Sequence, residues 1–201
     1  MNLKAKKIYH HLTSELSLAN SESRRSILNG AMDELSSKSI NCFSCTGKCC
    51  TFISNSMQTD AIQTLELYLY LQEQGMWNDE LILELKEVVR NNRLDYEIQT
   101  GLGSSFRRTY TCPFYNKGPK GCSIAPESKP FGCLAFNPVS ECAQGGESCA
   151  SDIPLLQERE DSFEQAEEKS NEYLKKIFSF HWDKLPMPVA LLEMGEKLKE
   201  L

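Results

Sequence analysis

Four cysteines fall within nine residues, in the string CFSCTGKCC at positions 42–50, and five more lie between 112 and 149. The rest of the chain holds none. Cysteines used only as small core residues would be scattered, so two segregated groups point to a shared chemical task. The nine are Cys42, Cys45, Cys49, Cys50, Cys112, Cys122, Cys133, Cys142 and Cys149. An odd number cannot all pair as disulfides within one chain. The N-terminal string MNLKAKKIYHHL carries charge and lacks an apolar h-region, so it does not read as a secretory signal. The expected location is the cytoplasm, where thiols stay reduced and clustered cysteines are expected to be metal ligands or redox groups.

Spacing sharpens that expectation. Cys42 and Cys45 form a Cys-x2-Cys pair, which lets one tight turn aim two thiolates at a single metal. Cys49 follows after three residues, with Gly47 between them to let the loop bend. Cys50 is adjacent, and neighbouring side chains diverge. The two can therefore serve different metals or different atoms of a cluster, or one can be a ligand and the other packing. Cys112, Cys122 and Cys133 lie in TCPFYNKGPKGCSIAPESKPFGCLAF, whose glycines and prolines suit turns that fold the chain back on itself. One loop offers too few well-placed ligands, so the two groups are expected to complete each other.

Around the cysteines the chain reads as mainly α: helices packed around an irregular, cysteine-rich, metal-organised core. A length of 201 residues suits one domain with a helical extension. Residues 1–37 read as a helical hairpin. Its first helix is weakly marked by Leu3, Ile8, Leu12 and Leu16, its second by Ile27, Leu28, Ala31, Met32 and Leu35. Residues 38–151 form the cysteine-cluster domain, with two inserted helices. The first starts at an Asp60/Gln63 capping box and stops at Gly75. Within it LELYLYL alternates like a strand, but the caps and the leucines favour helix. The second is capped by Asn78 and is expected to end near Gly101 or Gly103. The stretch 102–151 is irregular, with room for a short β-hairpin near FRRTYT and CSI. Residues 152–201 carry a long helix capped by Asp152 and a last helix from about Pro188, and the three parts are expected to form one compact unit. The long helix would bury Leu156, Phe163, Ala166, Tyr173, Leu174, Ile177 and Phe178, with the acidic run EREDSFEQAEE at 158–168 as its solvated face.

A net charge of −6 argues against general binding to nucleic-acid backbones, and no apolar run is long enough to span a membrane. An unidentified protein partner stays open. Residues 101–133 reverse the charge: Arg107, Arg108, Lys117, Lys120 and Lys129 face Glu127 alone, and Lys38 and Lys48 flank the first loop. These cations can offset thiolate charge and lower thiol pKa, or they can be solvated loop residues. His10, His11 and His181 fall outside both cysteine groups and read as surface or helix packing. Tyr68, Tyr70, Tyr110 and Tyr115 read as core or rim. No phosphate-binding, dinucleotide-binding, nucleophile-elbow or zincin motif is present.

CFSCTGKCC, followed by CPF, GCSI and KPFGC, resembles the CxxCxxCC cysteine-cluster proteins, the YkgJ-like zinc- or iron-chelating domain family. The likeness covers residues 42–136. It assigns Cys42, Cys45, Cys49, Cys50, Cys112, Cys122 and Cys133 to the motif. The first motif has one residue more than the family pattern before its double cysteine, and Lys129 stands where the family has arginine. Cys142, Cys149 and the flanking helices lie outside the likeness. The resemblance implies a cysteine-ligated metal. A zinc ribbon would show two Cys-x2-Cys knuckles or histidine ligands, and only one knuckle is present. All-cysteine ligation at irregular spacing suits an iron–sulfur cluster at least as well, so the balance leans slightly to iron–sulfur over Zn2+. Three roles follow: a redox or metal-handling protein, an enzyme such as a protein lysine N-methylase by family analogy, or a structural zinc module that binds a partner.

Overall fold

Asn2 starts the first helix by accepting from the Lys4 and Ala5 backbone N–H groups at 3.0 and 3.2 Å. That fills two of the donors a helix start leaves unpaired. Helix α1, Leu3–His10, continues into a π-helical turn, His11–Glu15. This is a computed structural model, and it describes residues 2–15, 47–96, 98–99, 105–116, 121–125, 128–138 and 149–200, with positions 26, 29, 30, 33, 34 and 37. The expected first stripe is corrected at its start: Leu3 is 67% exposed, whereas Ala5 and Leu12 are buried. Leu3 is the first helical residue, and the face that packs runs through Ala5, Ile8 and Leu12 at helical spacing. Of the second expected helix, Ser26, Asn29, Gly30, Asp33, Glu34 and Ser37 are helical and exposed, which is one polar face. Leu16 of the first stripe and Ile27, Leu28, Ala31, Met32 and Leu35 of the second lie outside the described residues.

Helix α2, Ala61–Glu73, is the centre of the molecule. Asp60 accepts from Gln63 N at 3.0 Å to cap it, as the capping box requires. It ends in a Schellman turn: Met76 N bonds Leu71 O at 2.8 Å and Gly75 sits at φ +68°. The alternating leucines have a physical reason. Leu65, Leu67, Tyr68, Leu69 and Leu71 are all buried, so the helix is apolar nearly all round and shows no single stripe.

Helix α3, Asp79–Asn92, is capped by Asn78, whose side chain accepts from Leu81 N at 2.9 Å. It stops well before Gly101, which corrects the expected end. Arg93 takes the left-handed conformation at φ +51°. The Arg108 guanidinium then donates to the Asn92 and Arg93 carbonyls at 3.3 and 2.8 Å, so the helix end is satisfied from a later, irregular segment.

A four-residue helix α4, Phe131–Leu134, precedes α5, Ile153–Phe178, which Asp152 caps through Leu155 N at 3.1 Å. Helix α6, Met187–Glu200, closes the core against α2 and α3, while α1 and α5 pack on α2. The protein is therefore mainly helical. Three short antiparallel pairs complete the described residues: β1 (Gln58–Thr59) with β6 (Leu185–Pro186), β2 (Ile98–Gln99) with β3 (Ser105–Phe106), and β4 (Phe136–Pro138) with β5 (Cys149–Ser151). Of FRRTYT only Phe106 is in a strand. No helix among the described residues is long and apolar enough to cross a membrane.

The buried face of α5 also differs from the expected stripe. Leu155, Glu167, Ser170, Leu174 and Phe178 are buried, while Leu156, Phe163, Ala166, Tyr173 and Ile177 form half-buried shoulders. The acidic run is not wholly solvated. Glu167 is 7% exposed and pairs with Arg159 at 2.6 Å.

Candidate metal centre

The first cysteine segment is fixed by its glycine. Gly47 is buried at φ +69°, and a Cβ there would collide with the Tyr115 ring. Lys48–Cys50 then make one 3-10 turn, closed by Cys50 N to Gly47 O at 2.8 Å. The turn leaves the Cys49 and Cys50 sulfurs 4.0 Å apart. A second turn follows, in which Asn55 N bonds Thr51 O at 2.9 Å and Phe52 N bonds Thr111 Oγ1 at 3.2 Å.

The second segment lies directly against it. Cys112 N donates to Cys50 O at 2.7 Å, and Tyr110 N donates to Asn55 O at 2.9 Å. Asn55 clamps the same junction: its Nδ2 donates to Tyr110 O at 3.0 Å and its Oδ1 accepts from Met57 N at 3.1 Å. Tyr110 is fully buried, and its hydroxyl donates to Met57 O at 2.7 Å. Cys122 stands opposite Tyr115 in an antiparallel bridge. Ser123 N to Phe114 O at 2.8 Å and Asn116 N to Gly121 O at 3.1 Å hold that bridge. A Cβ on Gly121 would stand 3.5 Å from the Gly47 Cα, so the first loop and the Cys122 turn abut at their glycines. The CSI segment thus forms a bridge where a hairpin strand was allowed for.

Cys133 comes from a third direction, on α4. Its N–H bonds Pro130 O at 3.0 Å, and the preceding Phe131 N donates to Gln63 Oε1 at 2.9 Å. Cys50 and Cys112 are joined backbone to backbone and Gly121 abuts Gly47, so the first cysteine turn lies against both ends of the Cys112–Cys122 segment.

Electrostatics shows how closely these thiols sense one another. Cys50, donating to Cys49 across their shared contact, lowers Cys49 to about 7; burial opposes this and the Lys129 charge assists. Cys50 is raised, because it keeps the shared proton, is buried and faces other thiolates. Burial pushes Cys112 up to about 12, with Cys122 and Cys49 adding to the rise. Burial also holds Cys133 well above the usual thiol range, and Cys112 and Cys122 reinforce it. A pocket that burdens its own thiolates in this way favours neutral thiols, and a cation among them reverses the preference. Lys129 supplies part of that charge, acting on Cys49, Cys112 and Cys133. Arg108 instead serves the end of α3, and Arg107 is exposed.

Cys42, Cys45, Cys142, Lys38, Lys117, Lys120 and Glu127 lie outside the described residues, as does the side chain of Lys48. Cys149 lies on β5, opposite Pro138. Among the described residues no group of three or more His, Cys, Asp or Glu side chains is arranged to hold a metal ion. Tyr68 and Tyr110 are core residues and Tyr70 and Tyr115 are rim. His11 packs on Tyr173 with ring centroids 5.3 Å apart. Asn55 and Gln63, which hold the cysteine segments in place, carry no motif. The Asp60–Gln63 spacing marks Gln63 as a helix-start residue and is silent on its bond to Phe131.

No protein family, curated protein or solved structure matches this chain. The likeness to the cysteine-cluster proteins stands on the cysteine motifs alone.

Proposed function

We propose that this protein binds a thiophilic metal centre, an iron–sulfur cluster in preference to Zn2+, through Cys42, Cys45, Cys49, Cys50, Cys112, Cys122 and Cys133. The observation that carries the reading is the junction of the two cysteine groups, where Cys112 N donates to Cys50 O at 2.7 Å. Cys49 and Cys50 are 4.0 Å apart at sulfur, and Cys112 is bonded to Cys50 through its backbone. Cys122 and Cys133 are near enough to raise the thiol of Cys112 or be raised by it. The donor chemistry fits: soft thiolates select iron–sulfur or zinc over hard cations. Such a group supplies one-electron chemistry if it is iron–sulfur and a redox-inert cross-link if it is zinc. The chain's own part is to hold the thiols and to place the Lys129 charge where it acts on Cys49, Cys112 and Cys133.

Protein purified without oxygen is expected to contain iron and acid-labile sulfide in near-equal amounts, with broad visible absorption. Cys112→Ser and Cys133→Ser are each expected to lower the retained metal about tenfold or more, since one lost thiolate opens the site. Stoichiometric zinc without sulfide would reverse the preference for iron–sulfur. Absence of both metals, with the serine variants behaving like the parent, would sink the ligand assignment.

A further inference from the structure

Gln63 is buried to 7% exposure, and both ends of its amide are bonded. Its Nε2 donates to Asp60 Oδ2 at 2.8 Å and its Oε1 accepts from Phe131 N at 2.9 Å. Capping of α2 does not need this side chain, because Asp60 Oδ1 already accepts the Gln63 backbone N–H at 3.0 Å. A leucine would bury the same volume without the desolvation cost of an amide. What the amide adds is a bond to the first residue of α4. Pro130, which precedes α4, makes no capping hydrogen bond through its side chain, and Cys133 lies two residues beyond Phe131.

The amide is itself held from behind. Asp60 Oδ2 also accepts from Arg159 Nη2 at 3.3 Å. Arg159 in turn donates to both Glu167 oxygens, at 2.6 and 3.3 Å. The Arg159 guanidinium lies 5.0 Å over the Phe131 ring. The network therefore grips Phe131 twice, at its N–H and at its ring, from two helices that carry no cysteine.

We infer that Gln63, oriented by Asp60 and Arg159, is a positioning residue that aims Cys133 at the other thiols. The inference rests on the metal-binding reading above. Outer-shell groups of this kind commonly change metal affinity by about 10- to 100-fold.

The test is titration of the reduced, metal-free full chain with Co2+, read by thiolate-to-cobalt absorption, alongside thermal unfolding of the metal-free form. Gln63→Leu is expected to weaken Co2+ binding by roughly 10-fold or more and to alter the visible bands. Gln63→Glu keeps an acceptor for Phe131 N and is expected to retain more affinity than Gln63→Leu. Thr64→Val removes a buried hydroxyl bonded to Thr59 Oγ1 and to the Asp60 backbone carbonyl at 2.9 and 2.6 Å, which leaves the Asp60 carboxylate that holds Gln63 untouched. It is expected to lower stability and leave cobalt binding unchanged. If Gln63→Leu does not fold, Gln63→Asn, too short to reach Phe131, carries the same expectation. Cobalt affinity equal to the parent in the folded Gln63 variant overturns the inference, as does an equal loss in Thr64→Val. A parent protein without thiolate–cobalt absorption would instead overturn the metal-binding reading, and this inference with it.

Discussion

Arg159→Met lowers the melting temperature by roughly 10 °C or more, the largest single effect expected in the scaffold. The guanidinium is 14% exposed and lies between Asp60, 5% exposed, and Glu167, 10% exposed, at the side chain. Its removal leaves two carboxylates in a site that water hardly reaches, at a cost of about 3–5 kcal/mol. That is a large share of the roughly 5–15 kcal/mol that holds a domain together. Arg159→Lys keeps the charge but loses the fork that reaches both oxygens of Glu167 and one of Asp60, so it is expected to fall between. Adding Glu167→Gln to Arg159→Met should restore part of the loss, because one stranded charge is then removed. Thermal unfolding of the four proteins decides the matter. A shift below 2 °C for Arg159→Met would mean that the pairs are solvated and contribute little.

Gly47→Ala is the second large effect, and Gly75→Ala is its internal control. Both glycines are left-handed, at φ +69° and +68°. A Cβ on Gly75 meets nothing within 4 Å, whereas one on Gly47 runs into the Tyr115 ring. Gly75→Ala should therefore cost only the backbone strain of about 1–2 kcal/mol. Gly47→Ala adds roughly 1–3 kcal/mol for pushing an aromatic ring out of a packed site. It also parts the first cysteine loop from the Cys122 turn. Its expected signature is a larger drop in melting temperature than for Gly75→Ala, with faster alkylation of Cys49 and Cys50. Tyr115→Leu in the Gly47→Ala background should return it towards the control. Equal losses at the two glycines would remove the steric argument for this junction.

What could be read from the sequence was local. Asp60, Asn78 and Asp152 cap their helices as their positions suggest, because a capping side chain reaches only two or three residues ahead. Gly75 ends α2 for the same kind of reason. The cysteine groups stand out through composition, and the glycines and prolines between them foretell that the chain must turn back. What could not be read was long-range. Helix α3 ends at Asn92 through carbonyls that Arg108 satisfies from sixteen and fifteen residues away. Glu167 looks like part of a wet acidic run until Arg159, eight residues earlier on the same helix, is seen to bury with it. Gln63 meets Phe131 across 68 positions, a distance at which no spacing rule operates.

Helix α2 has a consequence for how the protein opens. Because its residues are covered on nearly every side, its amides have no exit to solvent by fraying or by the departure of one neighbour. Exchange of its buried amides with deuterium is expected to require the whole fold to come apart, which would make them a scale for global stability. Helix α4, which carries Cys133, is tied to the first turn of that helix by the bond from Phe131 N to Gln63, whereas Asn55 ties the first cysteine segment to Tyr110. Phe114 and Ile124 belong to the same buried core, so the amides around Cys112 and Cys122 are expected to share that protection and not to open separately.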